Sequence, residues 1–199
     1  MKKGFSLVEM LVVIGIITVL VGASIAGYAK MTKTADRSKA QELVSNAATA
    51  LTAYFQTEGC WPKRLLNARA GTPDGGSMLT AEAAYPLAKG KYMSITTEDG
   101  KCAGLDKFGV LTHWGMAIMK RKGDKATESD VEQHILRFAI DDDGDGVIKG
   151  VSVGGEKIDI RATAAVWCCD KNGKIESYRR GRREGGIYSW TYGQTQNVK

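Results

Sequence analysis

The feature that most constrains this chain is its opening, where "FSLVEMLVVIGIITVLVGASIAGY" (Phe5 to Tyr28) carries a single charged side chain, Glu9. No proline and no cluster of turn residues interrupts the chain between Phe5 and Gly59. About 20 apolar residues carry a helix across a bilayer, so this run is long enough to span one. Lys2 and Lys3 precede it, and the positive-inside bias then leaves the N-terminus cytoplasmic and the remainder outside. A plain anchor or a secretory signal peptide is the simpler reading, and "ASIA" at Ala23 to Ala26 offers small residues for a cut. The segment that follows argues against it. Ala40, Leu43, Val44, Ala47, Leu51, Tyr54 and Phe55 recur at spacings of three and four, which marks one apolar helical face. Gly59 and Pro62 then stop the helix. A continuous helix of roughly 53 residues reaches about 80 Å at 1.5 Å per residue. Its first half, 5–28, is apolar all round, and its second, 29–59, is amphipathic.

Glu9 is the anomaly. A carboxylate inside an apolar segment costs on the order of a few kcal/mol unless a cation meets it. Lys2 and Lys3 lie beyond the edge of the apolar layer. A positive charge brought by another copy of the chain meets the need, and an α-amino group freed at Phe5 by cleavage is such a charge.

At this point "KGFSLVEM" (Lys3 to Met10) resembles the prepilin signature of type IV pilins and type II secretion pseudopilins. The resemblance implies that residues 1–4 are a leader, cut between Gly4 and Phe5 by a prepilin peptidase, and that Phe5 is then N-methylated. It implies that Glu9 neutralises the N-terminal amine of a neighbouring subunit and sets axial register in a homopolymer built through the first helix. A single-pass precursor in the bacterial inner membrane is implied too, handled by an assembly platform and by minor pilins or pseudopilins. Many members carry a proline where Ala26 stands. Here Gly22 and Gly27 flank that position, and glycine weakens a helix interior by about 1 kcal/mol relative to alanine. "CWP" (Cys60 to Pro62), "DKFG" (Asp106 to Gly109) and "IYSW" (Ile187 to Trp190) resemble the G-type major pseudopilin. The first expectation is therefore a subunit of a periplasmic pseudopilus for protein secretion. The alternatives are the major pilin of an extracellular type IV pilus, serving adhesion or motility, and a minor pilin that grips DNA or a surface ligand. An anchored enzyme comes last, since nothing resembling HExxH, GxSxG or a phosphate loop is present.

Residues 60–199 suit one globular α+β domain of about 140 residues, with 43% hydrophobic and 25% charged residues in the chain. The expected architecture is the long helix packed on a small antiparallel sheet. "CWPKRLLNARAGTPDGGSML" reads as a loop, and Thr80 as the cap of a short helix, "AEAAYPLA", limited by Pro86. "DKFGVLTHWGMAIMK" leads into a first strand, as the resemblance implies. "HILRFAI" and "KIDIRATAAVWCC" read as two more, Asn172-Gly173 as a turn, and "GIYSW" as the closing strand.

A domain outside the inner membrane favours disulfides. Cys168 and Cys169 are neighbours in a strand and face opposite ways, so the expected bridges join one to Cys60 and the other to Cys102. The competing reading is a metal site, although no CxxC is present. "DDDGDGVI" (Asp141 to Ile148) places Asp141, Asp143 and Asp145 at positions 1, 3 and 5 of a calcium loop, with Gly146 at the sharp turn. The candidate calcium ligands are Asp141, Asp143, Asp145 and Val147. Ser152 stands where such loops carry a bidentate Glu, leaving Glu156 or Asp159 to complete the shell. A solvated acidic turn is the alternative. The calcium site of the G-type family, just before its "IxSW", keeps only Glu184 here.

The formal charge is +6, and loss of Lys2 and Lys3 with a leader lowers it to +4. That permits nucleic-acid contact without requiring it. Arg179, Arg180, Arg182 and Arg183, with "KRKGDK" at Lys120 to Lys125, form basic clusters that read either as an anion or DNA contact or as solvated tips pairing with neighbouring subunits. His113, beside Trp114, reads as a packed residue.

Overall fold

The computed structural model describes residues 6–70, 76–93, 105–175, 187–190 and 194–197. The chain divides into two compact units, Met1–Ser38 and Lys39–Lys199. Helix α1 runs Leu7–Glu58 without a break, as the periodicity predicts. Gly59 ends it with φ +69°, donating its N–H to the Phe55 carbonyl at 2.9 Å. That left-handed conformation is one glycine adopts without a Cβ penalty.

In the first unit, Leu7, Val8, Leu11, Ile14, Val19 and Leu20 stand exposed on α1. Among the described residues no helix is long and apolar enough to cross a membrane. The side chains of 23, 25–27 and 29 lie outside the description, and the described run from Leu7 to Gly22 falls short of a span of about 20 residues.

In the second unit the amphipathic face of α1 does what its spacing requires. Ala40, Val44, Ala47, Ala50 and Leu51 are fully buried, packed with Trp61, Leu65, Leu79, Phe138, Ile140 and Val166. The sheet they cover has the order β1 (Ser77–Met78), β4 (Arg137–Ile140), β7 (Ala164–Cys168), β8 (Ile187–Tyr188). Its pairs are all antiparallel, with Phe138 opposite Val166 and Trp167 opposite Tyr188. A second antiparallel sheet, β5 (Ile148–Val153), β6 (Glu156–Ile160) and β9 (Thr195–Asn197), supplies a further layer. β7 is therefore buried on both faces. Ala164, Val166 and Cys168 join the cluster containing α1, while Ala165 and Trp167 join Ile148, Val153, Ile158, Ile160 and Trp190. Each such large side chain contributes about 1.5–3 kcal/mol on burial.

The architecture is α+β, as expected, with the second sheet added. Four local readings are corrected. "GIYSW" does not hold the closing strand, since β8 covers only Ile187–Tyr188 and β9 follows it. The stretch after Cys60 is not all loop, because α2 (Lys63–Ala70) forms and buries Leu65. "HWGMAIMKRK" is helix α4 (His113–Lys122) rather than the approach to a strand. Thr112 caps it, accepting from the Gly115 N–H at 3.4 Å, and the hairpin β2 (Leu105–Asp106) and β3 (Gly109–Val110) precedes it. "KIDIRATAAVWCC" is two strands in different sheets, broken at Arg161 to Thr163. Thr80 caps α3 (Ala81–Lys89) as read, and the helix passes Pro86.

Candidate functional site

At the start of α1 the Glu9 carboxylate lies exposed among apolar side chains. Its Oε2 accepts from the Ser6 backbone N–H at 2.8 Å. No cation pairs with it among the described residues. Gly4 and Phe5, the expected cleavage and methylation positions, lie outside the described residues.

The acidic loop between β4 and β5 is a second concentration of charge. Asp141 is buried, 5% exposed. Its Oδ1 accepts from Gly144 N–H at 2.8 Å and its Oδ2 from Gly146 N–H at 2.7 Å, so the carboxylate folds the loop around itself. Gly146 turns there at φ +83°. The backbone of Asp141 is equally engaged: its N–H reaches Thr163 O at 2.9 Å, and its carbonyl accepts from Trp61 Nε1 at 2.7 Å. Carboxylate oxygens of Asp141, Asp143 and Asp145 lie within 4.8 Å of one another, a spread that a calcium ion bound at 2.3–2.6 Å, spanning up to about 5 Å, accommodates. The carboxylates thus fit a hard cation. They also already have one. Lys149, on β5, donates to Asp143 Oδ2 at 2.9 Å and pairs with Asp145. That ammonium is the main reason the Asp143 carboxyl is held at about 2, and the two aspartates in turn push Lys149 upward. Val147 donates its N–H to Asp145 Oδ1 at 2.8 Å, and Asp159 is engaged with the Gly150 N–H at 2.7 Å. Lys149 is the residue that counting acids alone overlooks, although its place four residues after Asp145 is visible in the sequence.

The cysteines do not form the expected bridges among the described residues. Cys60 is an exposed free thiol, and Cys168 and Cys169 are buried free thiols. Cys102 lies outside the described residues. The two neighbours do face opposite ways: Cys168 enters the α1 core, and Cys169 Sγ lies 3.3 Å from His134 Nδ1. Burial pushes the Cys169 thiol up to about 12 and the Cys168 thiol higher still, which leaves both protonated and poor nucleophiles. Burial also lowers His134, with His113 adding to the effect and Asp170 opposing it. His113 lies against Trp114, ring centroids 4.2 Å apart and planes tilted by 44°.

Arg179, Arg180, Arg182, Arg183 and Glu184 lie outside the described residues. Of the "KRKGDK" cluster, Lys122 is paired with Asp130.

Comparison with known proteins bears on the first of these features. Residues 1–25 match the family model described as the prokaryotic N-terminal methylation motif. The type IV major pilin protein PilE of Neisseria gonorrhoeae is 32% identical over 101 residues, covering 50% of this chain and 53% of that protein. A PilE1 pilin of the same organism is 32% identical over 101 residues, covering 50% of this chain and 42% of its own length. A fimbrial protein of Neisseria meningitidis serogroup B is 29% identical over 101 residues, 50% of this chain and 52% of the relative. The chain thus spans about half the length of the curated relatives it matches. No solved structure matches it. With the methylation motif at its N-terminus, pilins among its relatives over half its length and an α+β fold led by a long helix, the chain is similar to type IV pilins.

Proposed function

We propose that this chain is the structural subunit of an extracellular type IV pilus, made as an inner-membrane prepilin, cut between Gly4 and Phe5 and N-methylated at Phe5. The observation that carries the proposal is Glu9, an ionisable group on an exposed apolar helix with no cation from its own chain among the described residues. An acid so placed is stabilised when a neighbour's amine enters the same layer, and burying the apolar face of α1 between copies supplies the driving force. The relatives named above are a major pilin, a second major pilin and a fimbrial protein. They favour the pilus over the secretion pseudopilus that "CWP", "DKFG" and "IYSW" suggest. Two measurements test this. Mass spectrometry of the mature protein should place its N-terminus at methylated Phe5, and electron microscopy of sheared surface material should show fibres containing this chain. A mature terminus anywhere else rejects the processing. Export that fails in a deletion strain while surface fibres of other composition persist returns the pseudopilus.

We further propose that the Asp141 loop takes calcium by exchanging it for the Lys149 ammonium, with Asp141, Asp143, Asp145 and the Val147 carbonyl as ligands. The support is the convergence of the three carboxylates. Calcium should raise the melting temperature of the wild type and not of Asp143→Ala; an unchanged wild-type melting temperature ends this reading.

A further inference from the structure

The Glu9 carboxylate is held from within its own chain, and that contact has a recognisable form. Ser6 directly precedes α1, and Glu9 stands three residues later in "SLVE". The first N–H groups of a helix lack intrahelical acceptors. In the S-x-x-E pattern the glutamate reaches back to the amide of the capping residue. The bond from Ser6 N–H to Glu9 Oε2, 2.8 Å long, is that arm of the pattern. Among the described residues Oε1 has no hydrogen-bond partner.

The two oxygens therefore differ. A carboxylate has lone pairs for several donors, so an amide on Oε2 leaves Oε1 able to receive a cation. In an apolar layer both halves of this contact matter. A bare amide and a bare carboxylate are each costly there, and each satisfies the other in part. A glutamate fixed at one oxygen also presents the other with fewer rotamers to lose when a partner arrives.

We propose that Ser6 is a positioning residue for subunit assembly: its backbone N–H clamps Glu9 Oε2, so that Oε1 is fixed and open for the N-terminal amine of a second copy. This rests on reading Glu9 as the intersubunit charge. The donor is the backbone, so the side chain at position 6 is replaceable and the N–H is not. Glutamine at position 9 keeps a carbonyl acceptor for the clamp and loses the charge.

The experiment uses ¹⁵N-labelled full-length mature protein in detergent micelles, followed by the Ser6 amide resonance against pH. A carboxylate-bound amide proton is displaced downfield and relaxes as the acid protonates. Between Ser6 and Lys30 the ionisable side chains are Glu9 and Tyr28 alone, so an acid-range transition reports Glu9. The expected result is such a transition at Ser6 that vanishes in Glu9→Gln; a Ser6 amide indifferent to acid overturns the proposal. In filament assays on processed protein, Ser6→Ala should assemble as the wild type does, and Ser6→Pro, which removes the N–H, should lose yield several-fold. Full yield from Ser6→Pro also overturns it. The amide titration decides the matter even where Ser6→Pro escapes processing. Filaments formed normally by Glu9→Gln would instead refute the intersubunit charge pair, a result the Ser6 titration does not depend on.

Discussion

Two acidic regions of this molecule are handled in opposite ways. Asp143 and Asp145 bring their own counterion, because Lys149 on the adjoining strand reaches both. Glu9 has a single backbone amide and no cation among the described residues. The loop sits in water, where exposed ion pairs add little to stability and what they set is local shape. Glu9 sits on a helix among exposed apolar side chains that include Leu7, Val8, Met10 and Leu11, where an unbalanced charge is expensive once water is excluded. A charge neutralised within its chain belongs to the fold. A charge left with spare capacity in an apolar setting is what the proposed assembly would use.

The largest expected effect breaks the first side of that comparison. Glu9→Leu should abolish filaments seen by electron microscopy while leaving the melting temperature of the full chain in detergent unchanged, because Glu9 is exposed and its carboxylate is held only by the Ser6 amide. A matching loss of melting temperature would mean that Glu9 serves the fold. On the other side, Asp141→Ala should do the reverse. It removes a buried acceptor from two amides and should cost about 1–3 kcal/mol by denaturant unfolding, with little effect on assembly. Asp143→Ala, exposed at the same loop, should cost much less than Asp141→Ala.

His134 is a third kind of ionisable group, buried and kept neutral. Its folded pKa lies below the ordinary 6.5, chiefly through burial. Above pH 6.5 the neutral ring is favoured in both states and its contribution is complete. As pH falls through 6.5 the unfolded chain takes up a proton that the folded chain resists, so stability declines until the folded pKa is reached. The groups that face it are Cys169, Asp170 and His113. Melting temperature should therefore drop as pH falls below about 6.5, and His134→Gln should flatten that slope. An unaltered slope assigns the pH dependence to other groups.

What the sequence disclosed follows the same division between local and distant causes. The period of α1, its stop at Gly59 and the Thr80 cap are short-range signals, and all three are formed. The break of "KIDIRATAAVWCC" is not short-range. Arg161 to Thr163 carry the chain from one sheet to another, and residue spacing says nothing of which sheet a strand joins. β7 shows no alternation because both its faces are buried, so "AAVWC" carries no sign of its two neighbours. In β5 the register shifts between Ile148 and Val151, around Gly150, which interrupts the period-two pattern that would mark a strand. α4 was masked by a resemblance that pointed to a strand, although Thr112 three residues before Gly115 is a serviceable cap. Glu9 is legible as an anomaly from its place in an apolar run, whereas the amide that its own chain puts on one oxygen depends on the geometry of the helix start.

The smallest expected effect converts one region into the likeness of the other. Lys149→Ala leaves Asp143 and Asp145 without the ammonium that pairs them, so the loop becomes, like Glu9, a set of charges waiting for an outside cation. With a chelator present the variant should melt close to the wild type, since the lost pairs are exposed. With calcium added, it should gain more melting temperature than the wild type does, because the ion no longer has to displace a tethered competitor. Stabilisation by a ligand grows as the logarithm of its concentration over its dissociation constant, so the two titration curves should run parallel, the variant's reached at lower calcium. A variant that responds no more than the wild type would show that Lys149 and calcium do not compete for the same oxygens, and the loop would then stand as a self-neutralised turn.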